Sequence, residues 1–337
     1  MSAPSFSMPR LREILRGFSG CLVAVYGDLV ADEFIYGEIS RVSREAPVLI
    51  LSQRESRIVL GGAANAANNL SALGATPVVF GILGMDGSGK ELLRQFRRNR
   101  VECGFIRKVP GYQTPTKTRV LAGSVHSARQ QVLRLDRESQ FVHHRETLAS
   151  LWSEMQRGLT SCRGVIVSDY GFGYVHRDIA TRMAHHRNKA PIVLDSRFQL
   201  TEYSGLTAAT PNEPEVEEAL GIRIGSDLCR LESAGRTLLR TQKLRALLIT
   251  RGRHGMALFE PRRPTVHIPI FGTDEIADVT GAGDTVIAVF TLSLAVGASF
   301  LEAARLANYA GGIVVMKRGT ATVNVAELEA ALVKDRQ

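Results

Sequence analysis

The chain has 337 residues, 45% hydrophobic and 22% charged, with a formal charge of +9, a globular composition long enough for one large α/β domain or two small ones. No stretch approaches the roughly 20 apolar residues of a membrane helix, the N-terminus has no signal-peptide apolar core, and Cys21, Cys103, Cys162 and Cys229 lack metal-type spacing and read as thiols of a reducing cytoplasm. The basic surplus is mostly dispersed arginine rather than a stripe interleaved with aromatics, which argues against a nucleic-acid partner and hints at anionic small substrates.

Residues 1–19 form an N-terminal extension in which the spacing of Leu11, Ile14, Leu15 and Phe18 predicts a short amphipathic helix, packed on the main domain or, as the lesser alternative, in contact with a membrane. Short apolar runs then alternate with helical patterns. "CLVAVYGD" (21–28), "TPVVFGILG" (76–84), "GVIVSDYG" (164–171), "APIVLDS" (190–196) and "RALLITRG" (245–252) read as strands buried on both faces. Helices are expected over 62–74, 87–99, 144–159, 176–188 and 227–241, and 281–337 is mostly helical. The alternation predicts an α/β fold, a mostly parallel sheet flanked by helices, in a domain spanning 20–335. Segments 33–54 and 104–136 contain β-formers and no good helix, and predict extra strands outside the main sheet, as a small β lid or a plain surface hairpin. Ligands of parallel sheets gather beyond the carboxyl ends of the strands, which favours Asp28, Asp169, Asp195 and Arg251 as functional residues.

"DVTGAGD" (278–284) precedes an apolar run. Small residues let backbone approach a ligand, and N–H groups at a helix start cradle anions. An acid in the first turn also suits the helix dipole, so a structural helix entry and an anion site with an active carboxylate both fit this segment alone. Further along come "GGAAN" (61–65), "TPNEPE" (210–215), "TRGRHG" (250–255) and "GDLVAD" (27–32).

In that combination and order, from about Leu22 to Glu329, the chain resembles the PfkB, or ribokinase, family of carbohydrate kinases. It looks most like the D-glycero-β-D-manno-heptose 7-phosphate kinases of ADP-heptose and lipopolysaccharide precursor synthesis. "GDLVADEFIYGEISRVSREAPV" (27–48), "GGAANAANNLSALGA" (61–75), "TKTRVLAG" (116–123), "QQVLRLDRE" (130–138), "SDYGFG" (168–173) and "KRGTATV" (317–323) carry that likeness. Two-domain members of that group continue into a nucleotidyltransferase domain; with no HxGH-type motif before Gln337, a kinase-only chain is expected.

The resemblance implies a ribokinase-like fold and ATP-dependent phosphorylation of a sugar or sugar-phosphate hydroxyl. Asp284 would be the base, and the backbone of Gly281, Ala282 and Gly283 the anion hole. Asn212, Glu213, Pro214 and Glu215 match the N-x-x-E element beside the nucleotide, with Asn212 and Glu215 organising Mg²⁺ through water; a capped helix start is the structural alternative. Thr250, Gly252 and Gly255 would approach ATP, and Asn308 the adenine. Asp28, Asp32, Gly61, Gly62 and Asn65 would hold the sugar. Arg41, Arg44, Lys117, Arg119 and Arg134 are lid candidates for an acceptor phosphate, and each also fits an ordinary surface charge. Asp278, Thr280 and residues 317–320 resemble the place where some relatives bind a monovalent cation, which implies K⁺. Lid strands suggest a homodimer.

The chain departs from the heptose-kinase pattern at Phe172, where lysine is expected, at Ser196 and Arg197, where proline and lysine are expected, and in the longer segment 122–131. Another sugar, a sugar acid or a nucleoside as acceptor, and a non-catalytic sugar- or nucleotide-binding regulator, are the alternatives. A dinucleotide-dependent oxidoreductase is excluded, because the first strand runs into "GDLVAD" instead of a GxGxxG turn.

Overall fold

The computed structural model describes residues 7–123, 130–186, 190–272, 278–317 and 319–334. Ser7 caps α1 (Met8–Arg16), accepting from the Arg10 N–H. Leu11, Ile14, Leu15 and the following Phe18 are buried in the same core as the C-terminal helices. Residues 8–18 of the expected extension therefore pack on the main body.

Next come β1 (Leu22–Gly27), β2 (Leu29–Val42), β3 (Leu49–Gly62), α2 (Ala63–Ala72), β4 (Thr76–Gly84), α3 (Gly87–Arg98), β5 (Ile106–Val109), β6 (Thr116–Gly123) and β7 (Gln130–Arg137). The middle of the chain forms α4 (Arg145–Leu159), β8 (Gly164–Asp169), α5 (Arg177–His186), β9 (Ile192–Ser196), β10 (Ala208–Ala209), α6 (Glu213–Leu220) and α7 (Leu228–Thr241). It closes with β11 (Ala246–Thr250), β12 (Met256–Phe259), β13 (Val266–Ile268), α8 (Ala282–Ala295), α9 (Phe300–Val315) and α10 (Val325–Lys334).

The main nine-stranded sheet has the order β13-β12-β11-β10-β9-β8-β1-β4-β5. It is parallel from β5 to β11, and β12 and β13 add an antiparallel edge. Its strands read as unbroken apolar runs because they serve two cores. Val23 and Val25 of β1 face the core shared with α2, α8 and α9, whereas Ala24 and Tyr26 face the core shared with α4, α5 and α7. Helix α8 is apolar almost all round and correspondingly buried.

A second, four-stranded sheet, ordered β3-β2-β6-β7, stands outside the first. The lid segments expected at 33–54 and 104–136 need correcting. The first is longer, running from Leu29 to Gly62 and starting directly at the end of β1. The second is divided: Ile106–Val109 extends the main sheet beside β4, and only β6 and β7 enter the lid. Of the long segment 122–131, residues 124–129 lie outside the described residues. Among the described residues no helix is long and apolar enough to cross a membrane.

Candidate active site

The carboxyl ends of β8, β9 and β11, together with the first turn of α8, enclose a cavity of ≈ 620 Å³. Asn212, Glu213, Pro214, Glu215, Thr250, Gly252, Gly255, Gly281, Ala282, Gly283, Asp284 and Asn308 all line it, so stretches far apart in sequence converge there. Asp28, Asp32, Gly61, Gly62, Asn65, Lys117 and Arg134 are absent from its wall and belong to the lid side or to the packing behind it.

Asp284, only 3% exposed, stands in the first turn of α8. Its Oδ2 accepts from Asn65 Nδ2 and its Oδ1 from the Tyr170 hydroxyl, both at 2.9 Å. Asn65 is itself braced. Asn69 donates to its carbonyl and to its Oδ1, and Thr285 donates to Asn69. Gly281 has φ 77°, and a Cβ there would lie 2.5 Å from Asn65 Nδ2, so glycine alone permits both the turn and this contact. Burial pushes the Asp284 carboxyl up to about 7; the charges of Asp195 and Asp32 add to this, and the bonds from Asn65 and Tyr170 oppose it. An acid that titrates near neutrality is suited to accepting a proton. Among the described residues no side chain caps this end of α8, and a Cβ on Gly283 would meet nothing within 4 Å. The positive end of the helix dipole thus faces the cavity with room for an anion.

Asn212 caps α6 in a reciprocal box: its Oδ1 accepts from the Glu215 N–H at 2.8 Å, and Glu215 Oε2 accepts from the Asn212 N–H at 2.9 Å. The structural alternative weighed from the sequence is therefore present, and the same two residues line the cavity. Burial lifts Glu215 to about 7, and burial with the neighbouring Glu215 and Asp169 charges raises Asp195 well above the carboxylate range. Asp195, Glu215 and the Asn212 amide make a hard-oxygen group with anionic charge to offset, which fits Mg²⁺ held partly through water. Among the described residues no cluster of three or more His, Cys, Asp or Glu is placed to ligate a metal directly. Arg251, the strand-end arginine, pairs with Glu213 at 2.7 Å and ties the turn after β11 to α6.

Thr250 bridges to Asn212 across this wall. Beyond it, Met256, Ile270, Val279 and Val315 supply an apolar surface, and Gly311 and Gly312 flatten the face of α9. Asn308 donates to the Pro269 carbonyl at 2.8 Å, so its amide fixes the wall as well as lining it.

On the lid side, Asp32 pairs with Arg119 at 2.5 Å. A Cβ on Gly61 would fall 2.4 Å from Asp32 Oδ2, which explains that glycine by space. Lys117 reaches over the Tyr170 ring, 4.6 Å from its centroid. Burial, then the charge of Arg197, lowers its pKa. Arg134 is held by Asp136 on its own strand and is not in the cavity wall. Arg41 and Arg44 are exposed at and beyond the far end of β2.

Asp28 differs most from expectation. Instead of facing the cavity it turns its Oδ2 to the N–H groups of Tyr170 and Phe172, at 2.8 and 3.2 Å, because the turn after β8 presents backbone donors to a buried acceptor. Burial, then the nearby Asp169, raises it to about 7. Ser196 donates to Asp169 and is fully buried, and Phe172 is buried outside the cavity wall. Of the departures from the family pattern that fall among the described residues, only Arg197 lines the cavity. Asp278 accepts from the Thr280 and Gly319 N–H groups, joining the two segments expected at a monovalent-cation site; Arg318 lies outside the described residues. Tyr170 had no assigned role from the sequence; its signals were its place directly after the strand-end Asp169 and within the quoted "SDYGFG" segment.

Comparison with known proteins gives the family and the fold. The pattern of the family described as pfkB family carbohydrate kinase matches residues 22–327. The bifunctional protein HldE of Desulfatibacillum aliphaticivorans is 41% identical over 318 residues, 94% of this chain and 64% of that protein. The bifunctional protein HldE of Trichlorobacter lovleyi is 42% identical over 316 residues, 93% of this chain and 62% of that protein. The chain thus spans just under two thirds of the length of these curated relatives. Among solved structures, Arabidopsis thaliana ribokinase complexed with ribose and ATP superposes with a TM-score of 0.72 at 19% identity, covering 93% of this chain and 99% of that one. Phosphofructokinase-2 of Escherichia coli in complex with potassium gives 0.73 at 14% identity, covering 94% and 100%. These likenesses establish a ribokinase-like α/β fold.

Proposed function

This chain belongs to the pfkB family of carbohydrate kinases, and from that premise we propose that it transfers the γ-phosphoryl group of ATP to O1 of D-glycero-D-manno-heptose 7-phosphate. One observation carries the reading. Asp284, titrating near neutrality, shares one cavity with the open start of α8 and with the Asn212/Glu215 pair. Asp284 takes the proton of the attacking hydroxyl while the N–H groups of Gly281, Ala282 and Gly283 receive the transferring phosphoryl group. Asn212, Glu215 and Asp195 would hold Mg²⁺, which supplies charge neutralisation at the nucleotide phosphates. Thr250, Gly252, Gly255 and the apolar wall beside Asn308 accommodate the nucleotide. Asp278 and Thr280 are the residues to test for K⁺ dependence.

The heptose assignment rests on the quoted motifs and on the roughly 40% identity to the bifunctional proteins named above. The distribution of lid charges supports an acceptor that already carries a phosphate. Arg119 and Arg134 are compensated by Asp32 and Asp136. Lys117 is buried and has no ion pair among the described residues, and Arg197 adds to the positive potential around it. A buried lysine without an ion pair calls for an anion, and the exposed Arg197 at the cavity wall adds to the same positive potential. We read the protein as a cytoplasmic kinase and a homodimer through the lid. The solvent-exposed Leu49 of β3 and Leu133 and Leu135 of β7, the lid's two edge strands, support the latter.

The test is ADP formation from Mg²⁺-ATP with heptose phosphates, hexoses, hexose phosphates, sugar acids and nucleosides. Turnover is expected with the heptose 7-phosphate and lost in Asp284→Asn. Turnover confined to other acceptors would overturn the substrate, and ATP binding without any transfer would favour a regulatory protein.

A further inference from the structure

Tyr170 touches the carboxylate at the centre of the site, yet no motif assigns it a task. Its hydroxyl donates to Asp284 Oδ1 at 2.9 Å, while Asn65 occupies Oδ2. The tyrosine is fixed from separate parts of the chain. Its N–H is bonded to the buried Asp28 carboxylate at the end of β1, which also holds the Phe172 N–H. Lys117 stands over its ring from the lid. At the end of β3, a Cβ on Gly62 would lie 3.2 Å from its Cε2.

We infer that Tyr170 is a positioning residue for the base: its hydroxyl fixes the plane of the Asp284 carboxylate toward the acceptor hydroxyl, and Asp28 in turn holds Tyr170 through the turn after β8. The inference deepens the kinase reading and rests on it. A carboxylate held at one oxygen is free to tilt, whereas donors on different oxygens set its plane and leave lone pairs for the incoming hydroxyl. Both donors also favour the ionised form, the one able to take a proton. The charged groups facing Asp284 from other elements are Asp195 of β9 and Asp32 of β2, which favour its protonation, and Lys117 of β6, which opposes it. None is altered by Tyr170→Phe, which keeps the ring and removes only the hydroxyl.

The experiment compares wild type and Tyr170→Phe in the pH profile of kcat/KM with the heptose 7-phosphate, and in a ¹³C NMR titration of the Asp284 carboxyl assigned with Asp284→Asn. The acid limb is expected to move upward by about one pH unit, making the variant's loss about fivefold greater at pH 6 than at pH 8. kcat should fall more than KM changes, and the NMR midpoint should move the same way. A uniform loss at every pH with the Asp284 titration unmoved would refute the inference, since that is what a merely structural tyrosine would give. If wild type phosphorylates none of the acceptors, the kinase reading fails, and the NMR titration still decides whether Tyr170 sets the ionisation of Asp284.

Discussion

Replacing Asp284 by asparagine should abolish turnover and, at alkaline pH, stabilise the protein. Burial moves this carboxyl from the ordinary 3.8 to about 7. The native state therefore binds the proton more tightly than the unfolded chain, and the wild-type stability contributed by this group declines as pH rises from about 4 to about 7. Above that window the ionised carboxylate costs about 4 kcal/mol relative to an unperturbed acid. Asparagine removes the cost, but its amide cannot accept from both Asn65 and Tyr170, and the lost or opposed hydrogen bond returns about 1–3 kcal/mol. The net expectation is a variant about 1–3 kcal/mol more stable than wild type at pH 8, with the advantage gone or reversed at pH 5. Turnover should fall at least about 10²-fold through loss of the base. Urea unfolding at the two pH values, with ADP formation measured in parallel, reads both effects. Glu215, Asp195 and Asp28 are common to the two proteins, so the difference isolates Asp284. A stability difference of the same size at pH 5 and pH 8 would refute the reasoning.

Other expectations concern the walls of the site. Gly61→Ala drives a Cβ into Asp32 and should break its pair with Arg119; the KM for the acceptor should rise about tenfold while that for ATP stays put, as steady-state kinetics would show. Lys117→Met should raise KM for a phosphorylated acceptor about tenfold or more. It should leave any activity on unphosphorylated sugars little changed, and equal effects on both classes would remove the phosphate from this position. Arg251→Ala leaves Glu213 largely buried without its partner and should cost about 3 kcal/mol by urea unfolding; the double change with Glu213→Leu should recover most of it.

Much of the architecture could be read before any coordinates. The apolar runs at 76–84 and 164–171 became β4 and β8 with bounds shifted by at most two residues, because strands buried on both faces have a compositional signal independent of their neighbours. The short β10 and the antiparallel edge strands β12 and β13 had no such signal, since their pairing is decided by β9 and β11. The division of 104–136 between two sheets was illegible for the same reason: "IRKV" is as good a lid strand as an edge strand, and only β4 selects it.

The site divides along the same line. Residue type and order alone assembled the list of chemically capable groups, from "GGAAN" to "DVTGAGD", because each motif is local and its backbone demand is written in glycines, caps and acids. What those groups face was settled by folding. Asp28 and Asp32 are alike in sequence and only four residues apart, one directly after β1 and the other early in β2. Yet Asp28 turns into the turn after β8 and Asp32 pairs with a lid arginine. Tyr170 lies in the quoted "SDYGFG" segment with no role attached to it, yet it holds the Asp284 carboxylate. A residue's chemistry is intrinsic to its side chain, but its partner and its ionisation come from burial and from groups brought next to it by distant segments. The sequence therefore determined the inventory of this site, and the tertiary structure decided which members line the cavity and which hold one another.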